Sequence, residues 1–276
     1  MAGFAETHRC AVNTWECDEN AHLNVQFYVK RFDEAARFFA AMSGGRHDGP
    51  LPKTRHVRFH GELHTGAVMR MRSAQVVGGR FGGFVVHLLD NLQTGALSAT
   101  ALDSPDRSTH GQWQVDESEI ERAMPRGIDA RATVPIPARD ISLRGGLVTN
   151  RAIIVPAECD VSGNLLQQFY IARLSDGAPH AWEKAGITTS RLQERNYGRV
   201  AMEMKITHHE PARAGDGMVL HSIATVSGRK TLTLHHELVR LGDDAPLATA
   251  EVIAVVMDLA SRRTVEMAPL TAEGAA

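Results

Sequence analysis

The stretch Glu16-Cys17-Asp18-Glu19-Asn20-Ala21-His22-Leu23-Asn24-Val25-Gln26-Phe27-Tyr28 recurs as Glu158-Cys159-Asp160-Val161-Ser162-Gly163-Asn164-Leu165-Leu166-Gln167-Gln168-Phe169-Tyr170. Seven of the thirteen positions are identical at a constant offset of 142 residues. Chance at ordinary residue frequencies gives about one. Arg31 and Arg173 hold the same register, Gly79-Arg80 matches Gly228-Arg229 and His87 matches His236 at offset 149, and Leu97 matches Leu247 at offset 150. Similarity that persists in order through both halves identifies two copies of one domain.

Each copy reads as one extended segment, a loop, a long helix and then four strands. The extended segments are His8 to Trp15 and Thr149 to Ala157. In the first helix Val25, Tyr28, Val29, Phe32, Ala35, Ala36 and Phe39 recur at spacings of three and four, which builds an apolar stripe. Phe169, Tyr170, Leu174, Ala181 and Trp182 play that part in the second, where Gly177 and Pro179 predict a kink or interruption. The strands expected are Arg55–Leu63, Ala67–Val77, Phe84–Leu92 and Gly95–Leu102, then Arg199–His209, Met218–Val226, Thr231–Leu241 and Leu247–Asp258. Val68-Met69-Arg70-Met71-Arg72 and Met202-Glu203-Met204-Lys205-Ile206 alternate as half-buried antiparallel strands do. Gly66 and Gly215 mark equivalent turns. The predicted class is therefore α+β, a long helix wrapped by an antiparallel sheet, present twice.

Residues 1–103 form the first copy and 148–276 the second, with 104–147 between them. Ser104-Pro105-Asp106, Pro135-Ile136-Pro137 and Gly145-Gly146 give that segment the composition of a linker. It holds one expected helix, Asp116 to Met124, with Ser118 and Glu121 spaced as a capping box.

Hydrophobic residues at 43% and charged residues at 22% are ordinary for a globular chain and exclude a disordered one. With 30 basic and 32 acidic residues there is no general attraction to nucleic acid or to an anionic membrane. Three cysteines argue against a disulfide framework. No apolar run approaches the roughly 18 residues of a membrane span, and the N-terminal residues lack a basic-then-apolar leader, so a cytoplasmic location is expected.

The densest polar set is Asp18, Asn20, His22 and Asn24, alternate residues just ahead of the first helix. Asn20 or Asp18 can cap that helix, whose first N–H groups lack intrahelical partners. Free donors and a helix dipole stabilise an oxyanion, a carboxylate activates water or attacks a carbonyl, and Asn and His position water. Those are the needs of acyl transfer to water, although a capped helix with a surface histidine accounts for the same residues. Cys17 and Cys159 have no histidine spaced for a nucleophilic pair. His208-His209 and His235-His236 are neighbours in strands and face opposite sides, so neither pair is expected to chelate one metal. Arg229-Lys230, and Arg191 with Arg195, are lesser candidates for phosphate contact.

Asp18-x-Asn20-x-His22-x-Asn24, Tyr28 and Phe32-Asp33-Glu34-Ala35-Ala36-Arg37 together resemble the signature of the hotdog-fold thioesterases of the 4-hydroxybenzoyl-CoA thioesterase-like family. The Asp-x-Asn-x-His-x-Asn spacing is especially similar to acyl-ACP thioesterases, which carry two hotdog units in one chain. The resemblance implies a tandem hotdog that cleaves acyl-CoA or acyl-ACP thioesters in fatty acid metabolism. In it Asp18 is the catalytic carboxylate, Asn20, His22 and Asn24 complete the polar set, and Ala21 and Tyr28 adjoin the substrate. It implies no metal and no other cofactor, an acyl thioester as partner, and pairing of two chains into a homodimer.

Two departures are visible. Ala21 replaces a common Gly, and Val25 replaces a second Asn. In the second copy Ser162, Asn164 and Leu166 stand for Asn20, His22 and Asn24, which predicts one competent and one degenerate site, with Asp160 either a helix cap, the favoured reading, or a residual catalytic group. Competing readings are a non-catalytic acyl-CoA-binding chain and an enoyl-CoA hydratase. The hydratase motif sets two residues between its Asn and His, against one between Asn20 and His22 here.

Overall fold

The computed structural model describes residues 3–45, 49–105, 112–135 and 138–272. Asp106, Ile136 and Pro137 of the expected linker lie outside them. The chain divides into two compact units, Met1–Ala132 and Thr133–Ala276.

The N-terminal unit runs β1 (Ala5–Ala11), α1 (Val25–Met42), β2 (Thr54–Phe59), β3 (Val68–Val77), β4 (Val85–Asn91), β5 (Leu97–Asp103) and β6 (Gln114–Asp116). Five strands form an antiparallel sheet in the order β1-β3-β4-β5-β2, and β6 pairs with β3 in parallel. The helix packs on β1, β3 and β4. Of its expected stripe Tyr28, Val29, Phe32, Ala35 and Phe39 are buried, and Val25 and Ala36 are half-buried. Burying side chains of the size of Phe32 and Phe39 stabilises the unit by roughly 1.5–3 kcal/mol each.

The C-terminal unit repeats this with α2 (Ala138–Leu143), β7 (Leu147–Ile153), α3 (Gln167–Lys184), α4 (Thr189–Glu194), β8 (Tyr197–His208), β9 (Gly217–Val226), β10 (Leu232–Arg240), β11 (Pro246–Asp258), β12 (Arg263–Thr264) and α5 (Ala268–Ala272). Its order β7-β9-β10-β11-β8 is that of the first sheet, and β12 adds to β11. All ten expected long strands are present, with ends shifted by a few residues. Both Gly66 (φ +81) and Gly215 (φ +94) occupy left-handed turns where other residues are strained. Among the described residues no helix is long and apolar enough to cross a membrane.

Five expectations are corrected. Gly177 and Pro179 do not interrupt α3, which is continuous from Gln167 to Lys184. Gly177 instead lets the helix press onto the sheet, since a Cβ there would lie 2.6 Å from Leu220 and 2.7 Å from Thr149. The segment expected as a linker is packed structure. Val115, Ile120, Ala123 and Ala130 close over Ala74, Val76, Val86, Leu88 and Leu102, on the sheet face opposite α1, while Ile141 is buried in the second unit. Its capping box is Asp116 with Glu119, around a 3-10 turn Glu117–Ala123, rather than Ser118 with Glu121. Finally, Glu203 and Lys205 are buried rather than solvent-facing, Lys205 Nζ lying 2.7 Å from Glu251. The register also moves one match: bulges at Leu89/Asp90 and Leu238/Val239 set Leu97 against Pro246, so the offset stays 149.

A polar ladder crosses both cores in the same way. Thr7 meets Ser73 at 2.7 Å and Ser73 meets His87 Nδ1 at 2.7 Å. Thr149, Ser222 and His236 repeat both distances. Among the described residues only the first unit extends it: His87 Nε2 lies 3.3 Å from Asp103, which Arg55 clamps at 2.6 and 2.5 Å. Burial pushes the Asp103 carboxyl upward, but the Arg55 charge and hydrogen bonds outweigh it and hold the group at about 2. In the second unit the facing pair at this register is Met204 and Val252, both buried. His236, buried there without an acid, drops to about 3.

A buried ion pair broken on one side typically costs about 3–5 kcal/mol, whereas replacing both partners by packed apolar residues is often neutral. Asp103→Asn is therefore expected to lose about 3–5 kcal/mol, and Arg55→Met with Asp103→Val, the second unit's own solution, to lose far less. A depressed carboxyl stabilises above its ordinary value of 3.8 and stops doing so as pH falls toward about 2. Urea unfolding from pH 7 to 2.5 checks this: the acid loss should be smaller in the double variant.

Candidate active site

The Asp18 loop is built by the backbone around one carboxylate. Thr14–Glu16 form a 3-10 turn whose Asn13 and Glu16 make a capping box. Cys17 and Leu23 then bridge as an antiparallel pair. Asp18 Oδ1 accepts the Asn20 N–H at 2.9 Å and the His22 N–H at 3.1 Å, while its own N–H donates to His22 O at 2.8 Å. Ala21 takes the left-handed conformation, φ 58, that closes this loop, and Gly163 takes it in the second unit at φ 78.

Asn24, expected among the catalytic groups, is the N-cap of α1, its Oδ1 accepting from Gln26 N at 3.0 Å. Its carbonyl accepts from Phe27 N at 2.9 Å and Tyr28 N at 3.4 Å. Those three donors are thus spent within the helix end. Neither Asp18 nor Asn20 is the cap. Asp160 is not a cap either: it braces its loop through Ser162 N (2.9 Å) and Asn164 N (3.0 Å), and Leu166 caps α3 without a side-chain bond. Tyr28 is buried in the core, its hydroxyl donating to Gly61 O at 3.5 Å and its ring meeting Phe59 edge-on at 5.3 Å. Burial raises its hydroxyl well above the ordinary range. Asn20 is half-buried and Ala21 exposed at the loop tip.

His22 is the group that meets a chemical partner. Leu23 N donates to Leu63 O at 2.7 Å, and His22 forms an antiparallel bridge with His64, so the loop lies alongside residues 62–64. His22 Nε2 stands 3.4 Å from Glu62 Oε2, with side-chain exposures of 14% and 20%, and its ring meets His64 edge-on at 4.8 Å. A half-sheltered histidine and carboxylate in contact can pass a proton to or from a bound reactant. Glu62 and His64 were not among the expected residues, because forty residues separate them from His22. One signal was present: at offset 149 they become Pro211 and Arg213, changing together with His22→Asn164, while neighbouring His60 remains as His209.

The remaining candidates are otherwise engaged. The three cysteines are free half-buried thiols; burial, then Asp160 and Glu158, raises that of Cys159. His208 and His209 split between Gln167 and Thr249, and His235 and His236 between Glu251 and Ser222, as strand geometry requires. Arg229 lies 3.3 Å from Glu266, Lys230 donates to Thr264 O, and Arg191 donates to Gly186 O and Leu270 O.

Comparison with known proteins bears on the fold. Residues 154–274 match the model of the thioesterase-like superfamily. An acyl-ACP thioesterase from Bacteroides thetaiotaomicron superposes with a TM-score of 0.62 over 91% of this chain and 97% of its own, at 11% identity. The chain has a hotdog fold. A 12:0-ACP thioesterase from Umbellularia californica aligns at TM-score 0.56 and 12% identity, covering 90% of this chain and 92% of its own. No curated protein matches the sequence. The family match falls on the hotdog unit that has lost the histidine, so the recognisable framework and the intact polar set lie in different halves of the sequence.

Because Asn24 caps α1, Asn24→Ala is expected to cost about 1 kcal/mol while Asn24→Ser keeps most of the stability. Ala21→Gly, which removes the Cβ from a left-handed position as Gly163 does in the other unit, should gain about 1 kcal/mol. Urea unfolding of the three variants measures both.

Proposed function

We propose that the chain is a tandem hotdog thioester hydrolase that cleaves acyl-CoA or acyl-ACP to a free acid and a thiol, with its working site at His22 and Glu62 of the N-terminal unit. The observation that carries the reading is the 3.4 Å contact between His22 Nε2 and Glu62 Oε2, whose counterparts in the other unit are Asn164 and Pro211.

In this mechanism the Glu62 carboxylate takes a proton from water as the water oxygen bonds to the thioester carbonyl carbon. The tetrahedral intermediate then expels sulfur, the carbon–sulfur bond breaks, and the proton on Glu62 passes to the departing thiolate. His22 orients Glu62 and hydrogen-bonds the reacting oxygen. Asp18 and Asn20 hold the loop that presents His22, and Asn24 and Tyr28 fix that loop to α1. The structurally similar proteins from Bacteroides and Umbellularia are named for acyl-ACP substrates, which favours a carrier-protein thioester.

Thiol release should be measured over short, medium, long-chain and aryl acyl-CoAs and the matching acyl-ACPs. Glu62→Gln is expected to lower kcat by about 10²–10⁴-fold, the usual contribution of a general base. Asp160→Asn should leave the rate within a few-fold of wild type, because its unit lacks the histidine and the glutamate. An unaltered rate in Glu62→Gln would refute the assignment, and no release from any thioester would leave a protein that only binds acyl groups.

A further inference from the structure

Glu62 and His64 are alternate residues of an extended segment and so project to one side of it. His22 stands directly across from His64 in an antiparallel bridge, a placement that brings facing side chains to within about 4.5–5.5 Å at Cβ. Two imidazoles and a carboxylate thus converge on one face, and one ligand atom from each lies within 4.8 Å of the others. The spacing already suits an ion along one edge. Ligands about 2.1 Å from a tetrahedral zinc stand about 3.4 Å apart, and His22 Nε2 and Glu62 Oε2 stand 3.4 Å apart. His64 is exposed, so its ring can swing the remaining distance without disturbing the core.

We propose that His22, Glu62 and His64 bind one divalent transition-metal ion, zinc being the best match, in a three-ligand site with its fourth position open. Two nitrogens and one carboxylate oxygen are a donor set of the borderline type that zinc prefers, and hard ions such as magnesium lack the oxygens they require. The second unit provides an internal comparison: Asn164, Pro211 and Arg213 occupy the three places and offer no imidazole, no carboxylate and a fixed positive charge. Among the described residues this is one site, in the N-terminal unit. Resting on the hydrolase reading, the consequence is inhibition, because the ion takes up the Glu62 oxygen and the His22 nitrogen that the reaction needs. Metal and water activation compete for one pair of side chains.

Isothermal titration of the full chain with zinc chloride, in the absence of any thioester, tests the binding. One zinc per chain is expected, with affinity at least tenfold weaker in His64→Ala and in Glu62→Gln, while magnesium gives no saturable heat. Melting curves of both variants show that they are folded. Thiol release by the wild type should fall as zinc is added and return with a chelator, and half-inhibition of His64→Ala should need at least tenfold more zinc. Absence of saturable zinc binding, or equal affinity in the folded His64→Ala variant, overturns the site. Zinc that binds and accelerates thiol release overturns the inhibition. Zinc bound with the expected stoichiometry by a protein that releases no thiol sustains the site and refutes the hydrolase.

Discussion

The ion pair between Glu16 and Arg31 ties the candidate site to the fold. Glu16 is 2% exposed, and each of its groups is used. Its Oε1 meets Arg31 at 2.5 Å, its Oε2 accepts from Asn13 N and Nδ2, and its carbonyl accepts from Asn24 N at 2.9 Å. One residue thereby fixes the 3-10 turn, the start of α1 and the second turn of that helix, and the Asp18 loop is the short span left between fixed points. Glu158 and Arg173 repeat the pair at 2.5 Å, again with Glu158 O accepting from the residue that caps the helix. A charge pair sheltered in this way is costly to lose on one side, which accounts for its presence in both units even though the residues of the loop differ.

The pattern of difference between the units follows the same physics. Groups whose hydrogen bonds are buried are kept together: Thr7, Ser73 and His87 recur as Thr149, Ser222 and His236. Where a buried polar pair is gone, both members are gone, as Arg55 and Asp103 against Met204 and Val252. His22, Glu62 and His64 also vanish as a set, but for a different reason. They are half-buried or exposed, so no unpaired buried charge follows from losing one of them. Their joint absence argues that they act together.

Much of this was legible in the sequence because it repeats there and because periodicity reports burial. The stripe Tyr28, Val29, Phe32, Ala35, Phe39 and the strand runs follow directly from side-chain direction in helices and strands. Pro179 misled because the cost of proline in a helix is local, whereas the packing of α3, made close by Gly177, is tertiary. Residues 112–132 misled because turn-forming residues hid the apolar spacing of Val115, Ile120 and Ala123. At the site, His22 was legible but its partners were not. A contact across forty residues leaves no local pattern, only the paired change to Pro211 and Arg213 in the other copy.

That comparison also bears on Asp18, the residue to which family resemblance assigns the chemistry. Asp160 is present in the unit that lacks the histidine, the glutamate and the capping asparagine, and it makes the same two hydrogen bonds to its own loop, at 2.9 and 3.0 Å. A carboxylate needed only to activate water has no reason to persist beside Asn164 and Pro211. One needed to hold two N–H groups of a tight loop does, since without it those donors lose their partner and the left-handed residue at the tip loses its closure. The persistence of Asp160 therefore argues that the shared carboxylate is a brace for its loop in both units, and the proposed chemistry of the N-terminal unit draws on what that braced loop presents, the His22 ring against Glu62.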